Sequence, residues 1–154
     1  MSNASVIFYA IQSDFFPIAY KLIEKMYTQR ERVLFLCDND DEVNFYNSKL
    51  WTSVQLSFIP SGNKTTISPE DAIFCFVWFA TKITFLNSPT CILHNGLDIS
   101  NNPEITNFSK IVDVFDKDTM DSAKQRSQKY KDSGFTDQKL WIQDGISWKQ
   151  EYFV

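Results

Sequence analysis

A chain of 154 residues suits one domain. At 44% hydrophobic and 22% charged residues it has enough apolar surface to close a core, which excludes disorder as the default state. The net charge of −4 and a pI near 4.9 set the whole-molecule field against phosphate, which excludes nucleic-acid binding driven by bulk charge alone.

Val6-Ile7-Phe8-Tyr9-Ala10-Ile11 is a short apolar run, the pattern of a strand buried on both faces. Ser13 or Asp14 then caps a helix, and Pro17 is tolerated because it falls in the first turn. Phe15, Ile18, Ala19, Leu22, Ile23 and Met26 recur at helical spacing and form one apolar stripe. Val33 to Cys37 reads as a second strand. Asp38 to Asp41 supply cap residues for a second helix, about Asp41 to Leu50. Strand, helix, strand, helix in 50 residues predicts a parallel sheet with right-handed crossovers. Ser57 to Pro60 ends in the turn-like Ser61-Gly62-Asn63-Lys64. Further strands are expected at Ile73–Val77, Thr90–Leu93 and Ile111–Phe115, and a short helix at Pro103. A last helix runs from about Asp118 to Ser133, stopped by Gly134. Met120, Ala123, Ser127 and Tyr130 share one of its faces, while Lys117, Lys124, Gln128 and Lys131 share another. Residues 136–154 form an aromatic-rich C-terminal extension that periodicity does not assign. The expected fold is therefore α/β, three-layer, with a mostly parallel central sheet and helices on both faces, Rossmann-like but without a nucleotide fingerprint.

The four glycines make neither G-x-G-x-x-G nor G-x-x-x-x-G-K-[ST], so a phosphate cradle lacks the close backbone approach it needs. Cys37, Cys75 and Cys91 sit apart in apolar runs, as buried reduced thiols do. With one histidine, His94, they match no zinc spacing. The acidic run Asp38 to Glu42 lacks the spacing of a calcium loop, and its carboxylates suit the N-terminus of the next helix. No cofactor or metal is expected. The N-terminus has no basic, apolar leader pattern, and no run approaches the roughly 18 apolar residues of a membrane span, so the cytoplasm is the expected compartment.

Two stretches carry a family resemblance. The first is Arg32-Val33-Leu34-Phe35-Leu36-Cys37, then Leu50-Trp51-Thr52 and Ser57-Phe58-Ile59-Pro60-Ser61-Gly62. The second is Ile111-Val112-Asp113-Val114 followed by Arg126 to Phe135, with Arg126, Tyr130, Lys131, Gly134 and Phe135 in register. In order and spacing these resemble the chi subunit of bacterial DNA polymerase III, up to about Phe135. The resemblance implies a non-catalytic replication adaptor, not a polymerase. It implies two partners: the psi subunit of the clamp-loader complex, and the acidic, Phe-ending tail of single-stranded DNA-binding protein.

For the tail, the resemblance points to Lys124, Tyr130 and Lys131. A basic stripe beside an aromatic suits an acidic peptide and its carboxylate. Lys124 stands where the family usually has Arg, so a point charge replaces a fork. Ser127 and Gln128 stand where the family often has Tyr and Lys, which removes one aromatic wall and one positive charge. A solvated lysine-rich helix face is the plain alternative. For psi, the resemblance points to Trp51, Phe58 and Pro60. Trp51 reads better as closing the core beneath the second helix, while for Phe58 the interface and the core are evenly matched. A small Rossmann-like enzyme or nucleotide-binding protein, using the sheet's C-terminal edge near Asp14, Asp38 and His94, is the rival from another class.

Overall fold

The computed structural model describes residues 4–52 and 58–153. In chain order the elements are β1 (Ser5–Ile11), α1 (Phe15–Thr28), β2 (Val33–Leu36), α2 (Asp40–Thr52), β3 (Ser61–Asn63), β4 (Val77–Ala80), β5 (Cys91–Asn95), β6 (Lys110–Asp116), α3 (Met120–Asp132), β7 (Asp137–Asp144) and β8 (Ser147–Glu151). Three short 3₁₀ turns, Pro69–Phe74, Pro103–Asn107 and Lys117–Thr119, punctuate them. The strands form one mixed, mostly parallel sheet in the order β3-β4-β2-β5-β6-β1-β7-β8. This is the expected α/β, Rossmann-like class. The chain also divides into two compact units, residues 1–15 with 94–154, and residues 16–93.

In the first unit β1 is central. It pairs parallel with β6, from Ser5↔Lys110 to Ile11↔Asp116, and with β7, from Ser5↔Asp137 to Ala10↔Ile142. Val6, Phe8 and Ala10 are fully buried, and the phenyl ring of Phe8 meets Phe115 and Tyr130 at centroid distances of 6.2 and 5.9 Å. α3 buries Ala123, Arg126, Ser127 and Tyr130, the i, i+3, i+4, i+7 set of one helix face. The helix ends as expected. Gly134 takes φ +101°, and the Phe135 N–H reaches back to the Tyr130 carbonyl (2.9 Å), the 6→1 bond of a Schellman cap.

In the second unit β4 pairs parallel with β2 and with β3. α1 buries Ala19, Tyr20, Ile23 and Met26. The acidic run caps α2: Asn39 Oδ1 accepts from the Glu42 N–H, and Glu42 Oε1 accepts from the Asp38 N–H, both at 2.9 Å. This is close to the reciprocal arrangement of a capping box. All three cysteines are free and buried. Burial, reinforced by Glu42, pushes the Cys37 thiol up to about 12.

Three expectations are corrected. Ser61–Asn63 is a buried strand, not a turn. Asn47 of α2 supports it, donating to Ser61 Oγ (3.1 Å) and accepting from Asn63 Nδ2 (2.6 Å). A Cβ on Gly62 would lie 2.5 Å from Ile67 Cγ1, so glycine is there for close approach and not for turning. The strand expected at Ile73–Val77 begins only at Val77. Pro69 opens a 3₁₀ turn that carries through Phe74, and Ile73 and Phe74 are exposed; an apolar run alone does not fix the period. Residues 137–151 are not an unassigned tail but the hairpin β7–β8, antiparallel from Leu140↔Glu151 to Asp144↔Ser147. Ser57, in the expected Ser57–Pro60 run, and Val154 lie outside the described residues.

Candidate functional site

The chemistry-bearing residues of β5, β6 and α3 meet inside the first unit. A charge inside a parallel strand must find a partner, and Asp113 of β6 finds Arg126 of α3. Nε donates to Oδ2 (2.8 Å) and a terminal guanidinium nitrogen donates to Oδ1 (2.9 Å). This is the two-pronged geometry that arginine offers a carboxylate. Arg126 and Tyr130 are four apart on one helix face, so Tyr130 arrives at the same carboxylate. Its O–H donates to Asp113 Oδ2 (3.2 Å).

His94 of β5 completes the cluster. The Leu97 N–H donates to His94 Nδ1 (3.0 Å), which places the ring proton on Nε2. That N–H faces the Tyr130 hydroxyl (3.1 Å), and Asp113 Oδ2 lies 3.6 Å away. Burial lowers the His94 pKa, outweighing the attraction of Asp113, so the imidazole stays neutral. Burial, aided by Asp113, raises the Tyr130 pKa well above the ordinary phenol. Burial works against the charge of Arg126, but its hydrogen bond and charge pairing with Asp113 prevail and raise its pKa. The side-chain polar atoms of His94, Tyr130 and Asp113 are all used internally, and two of the three Arg126 nitrogens are held by Asp113. With no surface exposed, His94 offers no group to a substrate at the sheet's edge, where the rival reading placed it. Asp14 and Asp38 are exposed.

His94 is the chain's one histidine, which makes its linkage to folding measurable. Its folded pKa lies below the ordinary value of 6.5, so the unfolded chain binds the proton more readily. Stability from this group is full above about pH 6.5 and falls as pH drops below it, by at most about 1.4 kcal/mol per pH unit. Urea denaturation between neutral and mildly acidic pH should show that slope, and His94→Gln should flatten it. A slope unchanged in the variant would locate the proton elsewhere.

The residues expected to meet an acidic peptide divide. Lys124, Gln128 and Lys131 lie on the exposed side of α3, where Gln128 Nε2 donates to Asp132 Oδ1 (3.1 Å). Ser127 is buried; its hydroxyl donates to Gln138 Oε1. The Gln138 side-chain amide in turn donates to the carbonyls of Ser127 (3.0 Å) and Phe135 (2.9 Å), clipping the end of α3 to β7. Tyr130 is wholly buried, which corrects the expectation that its ring stands beside the lysines as an open wall. Beside Lys131 and Ser127 a cavity of about 180 Å³ runs between α3 and the β7–β8 hairpin, and its exposed ring belongs to Tyr152.

In the second unit Trp51 and Phe58 are 54% and 61% exposed. Their rings meet edge to face, centroids 5.2 Å apart, and the Trp51 indole N–H donates to the Ser61 carbonyl (3.3 Å). Trp51 therefore does not close the core beneath α2. Pro60 is half-buried, and its carbonyl accepts from the N–H groups of Phe76 and Val77. Sequence reasoning missed the Asp113–Arg126–Tyr130–His94 cluster. Its signal was a lone aspartate in an apolar strand together with Arg and Tyr four apart on one helix.

Fold and site together define a doubly wound α/β protein whose motif residues lock a core, leaving selected aromatics and lysines outside. The family model for the DNA polymerase III chi subunit, HolC, matches residues 3–138. The chain belongs to that family, as an accessory subunit of the replicative polymerase. No curated protein matches it. Among the described residues no helix is long and apolar enough to cross a membrane.

Proposed function

We propose that the chain is a non-catalytic, cytoplasmic adaptor that joins the clamp loader, through a psi-type subunit, to the acidic tail of single-stranded DNA-binding protein. It meets nucleic acid only through that partner. The observation that carries this reading is how the family's motif positions sort. Asp113, Arg126, Tyr130 and Phe135 close the core, whereas Trp51, Phe58, Lys124 and Lys131 are left exposed. Large exposed aromatics cost a monomer solubility but suit an interface, and exposed lysines offer an acidic partner its counter-charge.

The psi-type contact is assigned to Trp51 and Phe58, with Pro60 behind them. The tail contact is assigned to Lys124 and Lys131, with Gln128 between them and Ser127 at the edge of the adjoining groove. Tyr130 supports that helix from beneath and does not touch the peptide. Both lysines carry point charges, so attraction for an acidic peptide is mostly between screened groups. Fluorescence anisotropy with a labelled acidic peptide ending in Phe should give micromolar binding that weakens with added salt. Changing Lys131 and Lys124 to Glu should abolish it, because two attractions become repulsions. Binding that survives this double charge reversal would exclude α3 as the site.

A further inference from the structure

We infer that the chain's own segment Glu151–Phe153 sits in the groove proposed above for the acidic, Phe-ending peptide, and so gates it; the inference rests on that reading. The register gives the first reason. Leu140 pairs with Phe8 on β1 and with Glu151 on β8, so Glu151 shares the sheet face of Phe8 and Leu140. α3 covers that face, since Phe8 meets Tyr130 and Gln138, two residues before Leu140, bonds Ser127.

Past Glu151 the chain leaves the strand. The ring of Phe153 meets Phe8 edge-on, at a centroid distance of 5.0 Å and an interplanar angle of 85°. Phe8 is fully buried, so Phe153 is seated against the aromatic layer of the core. Glu151, Tyr152, Phe153 and Lys131 all line the one cavity of about 180 Å³.

An acidic residue followed closely by a phenyl ring, beside a lysine, is the chemistry an incoming tail would bring. The remaining cavity is comparable to the roughly 150 Å³ that holds a benzene ring. It can take one side chain, but any carboxylate entering beside Lys131 also meets Glu151. The segment lies beyond residues 3–138, the part of the chain that matches the family.

A groove free only part of the time binds with an affinity reduced by that fraction. If the segment is seated most of the time, ending the chain at Gln150 should tighten peptide binding by about tenfold. Phe153→Ala, which leaves β8 whole, should tighten it in the same direction, and Lys131→Glu should remove binding from both variants. Anisotropy titrations read the affinities, and a thermal melt verifies that each variant is folded. Equal or weaker binding by the folded variants, with Lys131→Glu still abolishing it, would make the segment a wall of the site and overturn the gate alone. If neither the full chain nor the shortened one binds the peptide, the tail-binding reading fails and the gate fails with it.

Discussion

Replacing Asp113 with Ala should cost about 3–5 kcal/mol of folding free energy, the usual loss when one partner of a buried ion pair is removed. Arg126 is the reason. Its guanidinium is nearly buried, with 6% of the side chain exposed, and takes both its nitrogen contacts from this one carboxylate. Without Asp113 that charge stays inside with no counter-ion. The Tyr130 hydroxyl also loses its acceptor, and the chain of bonds back to His94 ends on nothing. For a chain of this size the loss lowers the melting temperature by roughly 6–20 °C. The control is the double variant Asp113→Leu with Arg126→Met. Removing both charges deletes the desolvation cost along with the attraction, so most of the stability should return. Urea denaturation of the two singles and the double measures the coupling. A loss under about 1 kcal/mol for Asp113→Ala would mean that water already reaches Arg126.

The same cluster explains how far the sequence could be read. β1, α1, β2 and α2 were legible because their residues agree at every level: apolar runs of strand length, a 3.6 period, and acidic caps. β3 was not, because Ser61-Gly62-Asn63 has the composition of a turn. It becomes a strand through Asn47, sixteen residues from Asn63, whose amide satisfies the buried polar side chains. The β7–β8 hairpin did carry a local signal. Gly145 stands at the first loop position with φ +63°, as a II′ turn requires. The aromatics around it obscured the period-2 pattern. At the site, the exposed lysines of α3 were legible from helical spacing, but the fate of Tyr130 was not. It shares a face with Ala123 and Ser127, and that face points inward because Asp113 waits there. Only the three-dimensional partner distinguishes a tyrosine that lines a groove from one that ties down a core.

Trp51→Ala and Phe58→Ala should separate binding from stability. Trp51 is the second-to-last residue of α2, and Phe58 follows residues 53–57. The two rings hold each other edge to face, and the indole N–H is anchored on the Ser61 carbonyl. A large aromatic held in one orientation loses little freedom on binding, which is how a few residues come to dominate an interface. Six residues back on α2, Phe45 is also exposed, with Lys49 Nζ 5.5 Å from its ring centroid. Either substitution should weaken a psi-type partner by at least about 2 kcal/mol, roughly thirtyfold. Folding stability should stay within about 0.5 kcal/mol of the parent, as for exposed positions generally. Calorimetric titration against the purified partner, beside a thermal melt, tests both halves. The opposite pattern, lower stability with unchanged affinity, would make the pair a packing element of α2. Lys131→Glu supplies the complementary control: a charge reversal on α3 should leave the psi-type contact intact while abolishing the acidic peptide, because the two proposed contacts use different surfaces with different chemistry.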